Sequence, residues 1–280
     1  MSTIATERPK ARYALGHSPQ EYDRLRTQAR VWEDATGGLL DQVGLAPGAS
    51  CLDAGCGPGE TMRLMARRVG PTGRVLGIDT DSSLGAMALA SLHATGHRQC
   101  FFHSQDLTAG EPIPRAPFDL VYARLLLFHL PQRVSVLARL WDAVAPGGHL
   151  LVQDYDLRGI SMLPELDTVT EATRVITGAF GAVGADVHVG ARLPQLFVQA
   201  GIGEPHGTDV AGRIEPLATG RALVERTFRS VLPTALAHGV TTEAAAATVL
   251  ASIDRDATQF PDGQMVWPLL IGAWKRKERA

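Results

Sequence analysis

Cys51-Leu52-Asp53-Ala54-Gly55-Cys56-Gly57-Pro58-Gly59-Glu60 is the stretch that decides how this chain folds. Ser50 to Ala54 reads as a short apolar strand, the glycines at 55, 57 and 59 as a tight loop, and residues 60–69 as the helix that the loop opens. Glycine lets a backbone come close to a ligand where any Cβ would intrude. A dinucleotide site of this strand-loop-helix kind carries G-x-G-x-x-G and sets a pyrophosphate on the helix N-terminus. The spacing here is G-x-G-x-G, and Asp53 and Glu60 place carboxylates on either side of the loop. Two carboxylates repel a phosphate and favour a ligand with a positive centre, a sulfonium or an ammonium.

Outward from the loop, short apolar runs alternate with helical stretches. RVLGID at 74–79 is followed by a helix over 82–94, CFFHS at 100–104, FDLVYA at 118–123, a helix over 131–145 and HLLVQD at 149–154. That alternation predicts βα units and a parallel sheet. Gly70-Pro71-Thr72-Gly73 and Pro146-Gly147-Gly148 supply turns between elements. Asp79 ends the second strand about twenty residues past the loop, where an acidic side chain accepts both hydroxyls of a ribose. Gln105-Asp106-Leu107 follows the third strand, with Asp106 suited to an exocyclic amine and Leu107 to a purine face. Ala123 and Arg124 end the fourth strand at the carboxyl edge, the crevice in which open α/β sheets bind ligands. A nucleoside carrying positive charge fits these four strand ends.

The flanks are helical. Residues 1–17 read as a leader, and Ser18-Pro19-Gln20-Glu21 starts a helix over 19–43. Later come a helical stretch within 157–187, a helix over 191–200 ended by Gly201, two helical segments over 219–257 parted by His238-Gly239, and a closing strand, MVWPLLIGAWKRK, interrupted by Pro268. The 280 residues, 45% hydrophobic and 20% charged, suffice for a sizeable core and exclude a disordered or collagen-like chain. A formal net charge of −2 offers no global positive field, so nucleic acid is not the expected partner. Cys51, Cys56 and Cys100 lack metal-ligand spacing, and neither zinc nor disulfides are expected. Polar first residues and the lack of a long apolar run predict a cytoplasmic protein with no membrane partner.

In this order the motifs resemble those of the class I S-adenosylmethionine-dependent methyltransferases. LDAGCGPG is similar to the glycine motif, GIDTD to the ribose-binding acid, SQDL to the adenine-binding loop, FDLVYARLLLFHL to the fourth strand and its exit, and LWDAVAPGGHLLVQDYD to the helix, turn and fifth strand. The likeness is close over 49–156 and continues weakly to the end through G-x-R-L-x-x-L-F at 190–197. The leader YALGHSPQEYDRLRTQA resembles that of the bacterial small-molecule, ubiquinone-biosynthesis-like group, in which an N-terminal helix closes over the cofactor. The resemblance implies an α/β, Rossmann-like fold whose seven-stranded sheet is mostly parallel with its last strand antiparallel. It implies a single domain over 1–280, with a cap helix in 1–44, a cofactor-binding core in 45–156 and helical substrate-cap insertions at 157–187 and 217–260.

S-adenosylmethionine is the cofactor so implied. Its contacts carry over to Tyr13 and Gln28 in the leader helix, and to Asp53, Gly55, Cys56, Gly57 and Gly59 in the glycine motif. Asp79 and Thr80 follow at the ribose, Gln105, Asp106 and Leu107 at the adenine, and Ala123 and Arg124 at the fourth-strand exit. His129 stands where some relatives carry a His-His pair for acid–base work, but Phe128 replaces the first member, so His129 reads as a proton carrier or as an anchor for the next helix. Asp154 matches a position that faces the acceptor in several relatives, and reads as catalytic or as a partner of Arg158 or backbone. Asp53 has the same ambiguity between ligand contact and loop brace, and Cys56 reads as a small filler rather than a reactive thiol. Tyr155, His188, His238 and Trp267 are pocket candidates weighed against plain packing.

The activity implied is methyl transfer to a small molecule, an apolar or aromatic specialised metabolite, by a monomer or homodimer. The fourth-strand exit Tyr122-Ala123-Arg124 differs from the Asn/Asp-Pro-Pro-Tyr that grips a base amine, which again disfavours nucleic acid. Two other readings keep the fold: a cofactor-binding protein that promotes a cyclisation or rearrangement, and a non-catalytic partner subunit, which the intact motifs disfavour.

Overall fold

The short apolar runs do form strands, and their period of two sends successive side chains to opposite faces. The structure is a computed structural model that describes residues 19–279. Strands β1 (Ser50–Ala54), β2 (Arg74–Asp79), β3 (Cys100–Ser104), β4 (Phe118–Arg124) and β5 (Val144–Asp156) are followed by β6 (Ser161–Leu163), β7 (Gly207–Ala211), β8 (Ile214–Pro216), β9 (Gln264–Val266) and β10 (Leu269–Arg276). Seven of them form one sheet in the order β3-β2-β1-β4-β5-β10-β7. The first five are parallel, and β10 runs antiparallel to both β5 and β7. This is the expected seven-stranded, mostly parallel sheet with an antiparallel last strand.

The helices are α1 (Pro19–Val31), α2 (Glu33–Gln42), α3 (Glu60–Val69), α4 (Ser82–Ala94), α5 (Arg133–Asp142), α6 (Asp167–Ala182), α7 (Leu193–Gln199), α8 (Leu217–Ala237) and α9 (Glu243–Gln259). Helices cover both faces of the sheet, which is why its strands read as near-continuous apolar runs. On one face Cys51, Tyr122 and Leu151 pack with Leu40 of α2 and Met62 and Met65 of α3. On the other, Leu52, Val121 and Val152 pack with Leu137 and Leu140 of α5 and Phe197 of α7. Each fully buried leucine here contributes roughly 1.5–3 kcal/mol. The same apolar cluster extends without a break into Ala172, Ile176 and Phe180 of α6 and Phe228 and Val231 of α8.

Three elements differ from the sequence reading. The helix expected over 19–43 is interrupted at Trp32 (φ −103°, ψ 12°), whose indole turns inward to the Tyr155 hydroxyl. The helix expected over 131–145 stops at Asp142, because Val144 already pairs with Phe118 and β5 runs on through Pro146-Gly147-Gly148 with a register shift against β4. The closing strand is split at Pro268, which has no N–H for the ladder, so β9 joins a second, three-stranded sheet of order β6-β9-β8. That small sheet was not anticipated, since three-residue strands are too short to show a period.

Candidate functional site

The carboxyl ends of β1 to β5 meet at one crevice. There the Gly55 and Cys56 N–H groups donate to the Ile78 carbonyl at 2.8 and 3.0 Å, laying the loop across the end of β2. Asp79 completes the join: its Oδ2 accepts from the Gly57 N–H at 2.9 Å and its Oδ1 from the Asp81 N–H at 3.0 Å. Gly55 holds φ +71°, and a Cβ there would lie 2.9 Å from Leu126 Cδ1. Gly57 holds φ +48°, and a Cβ there would meet no heavy atom within 4 Å, so it would stand in open space at the crevice. Asp81 caps α4, accepting from the Leu84 N–H at 2.9 Å, and also accepts from the Tyr22 hydroxyl of α1 at 2.9 Å. That bond to a carboxylate raises the Tyr22 phenol above its ordinary value.

Asp53 lies at the floor. Burial is the main force that pushes its carboxyl up to about 7, opposed by the Arg124 charge, and its Oδ2 is buried with no hydrogen-bond partner among the described residues. Asp53, Glu60, Asp79, Asp81 and Asp106 make this end acidic, and a positive ligand is its complement. Gln105 is equally buried: its Nε2 donates to the Glu111 and Pro112 carbonyls, while Oε1 has no partner among the described residues. The Asp106 Oδ1 accepts from both the N–H and the hydroxyl of Thr108, and the Arg139 guanidinium grips the Leu107 and Glu111 carbonyls, which fixes this loop.

These residues line a cavity of about 1120 Å³ that continues past Arg124 and Leu126 into a vault of apolar side chains. Leu157, Ile176, Phe180, Val187, Leu223 and Val224 form its walls, drawn from the segment after β5, from α6 and the segment that follows it, and from α8. A short polar seam crosses it. Arg24 Nη1 donates to Gln28 Oε1 at 2.7 Å, and Gln28 Nε2 and Trp32 Nε1 donate to the Tyr155 hydroxyl at 2.9 and 2.7 Å. His129 also lines the cavity, stacked on Phe128 with ring centroids 3.6 Å apart. Burial first, then the Arg24 charge, drives its imidazole down to about 3, so the ring is neutral.

Of the residues singled out from sequence, Gln28, Asp53, Gly55, Cys56, Gly57, Asp79, Thr80, Gln105, Asp106, Leu107, Arg124 and His129 are brought together on this cavity. Tyr13 lies outside the described residues. Gly59, Ala123 and Asp154 are not on the cavity wall. A Cβ on Gly59 would sit 3.0 Å from Ala88 Cβ, so this glycine seats α3 against α4, and Ala123 is buried in the sheet between Ala54 and Val152. Asp154 is fully buried; its Oδ2 accepts from the Phe128 N–H at 3.2 Å and its Oδ1 from its neighbour Tyr155 N–H at 3.0 Å. Arg158 pairs with Asp156 instead, and His188 Nδ1 lies 3.1 Å from the same carboxylate, off the cavity. The Cys56 thiol is pushed well up by burial, which suits a filler. Tyr155, His238 and Trp267 do line the cavity. Sequence reasoning missed Tyr22, Arg24 and Leu126. The i, i+4 spacing of Arg24 and Gln28 was the available signal for one face of the leader helix.

A parallel-sheet crevice with a glycine loop, an acid at the end of β2 and an acidic rim fits a positively charged nucleoside. Residues 51–148 match the family described as a methyltransferase domain. The chain is 30% identical over 247 residues to the methyltransferase str3 of Strobilurus tenacellus, covering 84% of this chain and 82% of that protein. It is 30% identical over 232 residues to a trans-aconitate 2-methyltransferase of Rhizobium leguminosarum, covering 81% of this chain and 87% of that one. The match to the trans-aconitate 2-methyltransferase of Variovorax paradoxus, 38% identical, covers 43% of this chain and 44% of that relative, less than half of its length. A solved structure from Bacillus halodurans, described as a methyltransferase, shares the fold at a TM-score of 0.61 and 16% identity, over 87% of this chain and 98% of that one. The chain belongs to the class I S-adenosylmethionine-dependent methyltransferases.

The residues present fit that cofactor. The partnerless Oδ2 of Asp53 is a buried acceptor beside the loop, the open space over Gly57 leaves room for a ligand's approach, and the rim is acidic. No helix among the described residues is long and apolar enough to cross a membrane.

Proposed function

We propose that this protein transfers a methyl group from S-adenosylmethionine to an apolar or aromatic small molecule, a specialised metabolite. The observation that carries the reading is the continuity of the cavity, which joins the acidic glycine-loop end to a vault of Leu157, Ile176, Phe180 and Leu223. Asp79 would hold the ribose, Gln105, Asp106 and Leu107 the adenine, and Asp53 with Gly55 and Gly57 the positively charged end. When bound, S-adenosylmethionine supplies an electrophilic methyl group on a sulfonium. Methyl transfer removes the sulfonium charge, so the chain need not stabilise a new strong charge, and its part is to orient the acceptor and exclude water.

His129 lines the cavity as a neutral ring in this reading, and an imidazole held down to about 3 is a weak base, so it shapes the acceptor site rather than taking a proton. Asp154 is a positioning residue in this reading. Its carboxylate holds the Phe128 and Tyr155 N–H groups and so fixes both the turn that carries His129 and the end of β5. A cytoplasmic setting, action as a monomer or homodimer and no nucleic-acid partner complete the proposal; the formal charge of −2 supports the last point.

Titration calorimetry with S-adenosylmethionine and with S-adenosylhomocysteine tests the cofactor end, and mass spectrometry of an acceptor screen tests the rest. Binding of the nucleosides together with products heavier by one methylene is the expected result. A rearranged product of unchanged mass selects the cyclisation reading instead. Folded protein that binds neither nucleoside overturns the proposal.

A further inference from the structure

The polar seam at the acceptor end has a fixed direction. Arginine has hydrogen-bond donors and no acceptor, so the atom of Gln28 that faces Arg24 Nη1 at 2.7 Å is the amide oxygen. The other end of the amide, which faces the Tyr155 hydroxyl at 2.9 Å, is then the NH₂ group. The Trp32 indole N–H, 2.7 Å from the same hydroxyl, is a donor only. The Tyr155 oxygen therefore receives two hydrogen bonds, and its own proton has no acceptor among the described residues. Burial raises its phenol above the ordinary value, so this proton stays on at physiological pH.

Tyr155 and Gln28 both line the cavity, and a chain of hydrogen bonds that starts at the Arg24 cation and ends at a phenol makes the last O–H a stronger donor. Trp267 also lines the cavity; it is 4% exposed, and its Nε1 is buried with no partner among the described residues. The Leu, Ile, Phe and Val side chains of the walls carry no acceptor, and among the described residues the Tyr155 hydroxyl donates to none of the polar side chains that share the lining, His129, Thr227, Thr234 and His238. We infer that Tyr155 is a committed hydrogen-bond donor to the acceptor substrate, which therefore carries an electron-rich oxygen, a carbonyl, carboxylate, ether or phenolate, on an apolar frame. This deepens the methyl-transfer reading and rests on its placing the acceptor in this vault. It makes Tyr155 a specificity-determining residue, held in direction by Arg24, Gln28 and Trp32, and it selects against an ammonium or any other group without an acceptor lone pair at that point.

Three molecules with one frame test it: 2-acetonaphthone, 2-ethylnaphthalene and 1-(2-naphthyl)ethylamine, each titrated into the full chain with and without S-adenosylhomocysteine. The wild-type protein is expected to bind the ketone about tenfold more tightly than the hydrocarbon, the order of one net hydrogen bond. Tyr155→Phe should erase most of that preference while leaving S-adenosylhomocysteine affinity within about twofold, because the ring and the cofactor end are untouched. Should that variant fail to fold, 3-fluorotyrosine in the wild-type chain gives the same answer. There are only four tyrosines, and the fluorine signal of Tyr155, assigned by replacing the other three, should shift further at saturation with the ketone than with the hydrocarbon. Equal affinity for ketone and hydrocarbon, tighter binding of the amine than of the ketone when S-adenosylhomocysteine fills the acidic end, no binding of the ketone, or a fluorine signal that ignores it overturns the inference. A ketone preference that persists in protein blind to S-adenosylhomocysteine keeps the Tyr155 assignment and removes the methyl-transfer reading.

Discussion

The glycine-loop end of the cavity, proposed for the cofactor, is built from residues 53–107, the apolar end, proposed for the acceptor, from residues as far apart as Arg24 and Trp267, and the two are held by different forces. At the first, backbone N–H groups and carboxylates do the holding: Gly55 and Cys56 on Ile78, Gly57 and Asp81 on Asp79, and Thr108 on Asp106. At the second, apolar side chains of α6 and α8 form the wall and one directed seam of polar groups crosses it. Hydrogen bonds to backbone tolerate few substitutions, whereas an apolar wall keeps its character while its shape changes. The contrast explains how one chain can keep a fixed cofactor and leave its acceptor to be set by side-chain choice. Helix α1 touches both ends, through Tyr22 on Asp81 and Gln28 on Tyr155.

Asp79→Ala should break the first end most severely. It removes the acceptor of two backbone N–H groups that fix the loop and, in the proposed site, two charge-assisted bonds to the ribose hydroxyls; at about 1.5 kcal/mol each, the latter amount to a roughly 100-fold loss of S-adenosylhomocysteine affinity by calorimetry. Unchanged affinity would remove the ribose from this site. Gly55→Ala comes next: a side chain at φ +71°, 2.9 Å from Leu126 Cδ1, should cost about 2 kcal/mol in urea unfolding. Leu223→Trp fills the other end. Acceptor turnover should fall about tenfold with cofactor affinity unchanged within about twofold, because overfilling acts where the new atoms stand; an equal loss of both would mean that the two ends are not separable.

The smallest expected effect is a pH dependence. Asp53 has its carboxyl raised to about 7 in the fold, against an ordinary value near 4, so the folded state holds this proton more tightly than the unfolded state. Its contribution to stability is complete below about pH 4 and is lost as pH rises through about 7. Asp154, also raised to about 7, acts in the same direction, whereas neutral His129 favours the fold as pH rises from about 3 to about 6.5. Asp53→Asn should therefore gain on the order of 1 kcal/mol over wild type at pH 8 and little at pH 5, read by denaturation at the two values. The same ionisation should make wild-type S-adenosylmethionine affinity rise between pH 6 and 8, and a flat profile in both proteins would deny Asp53 a role with the positive ligand.

The difference between the two ends is also a difference in legibility. The glycine loop, Asp79 and Gln105-Asp106-Leu107 could be read because each is a local pattern next to a strand whose apolar run announces it. The acceptor end could not be read in that way. Tyr155 was visible only as a pocket candidate, since its partners Gln28 and Trp32 lie 127 and 123 residues away. Asp154 looked like a chemical group because it matches an acceptor-facing position of the family it resembles, and only the positions of the Phe128 and Tyr155 N–H groups reveal what its oxygens touch. The second sheet escaped because β6, β8 and β9 have three residues each.

The sequence by itself determined the parallel sheet, the loop that crosses its carboxyl edge and the positive nucleoside that the loop suits, because strand period, glycine torsions and carboxylate charge act within a few residues. Tertiary structure alone decided the shape of the vault, the neutrality of His129 and the direction of the Tyr155 hydroxyl. Burial, dielectric and hydrogen-bond polarity depend on which distant segments are brought together, and no local pattern encodes that.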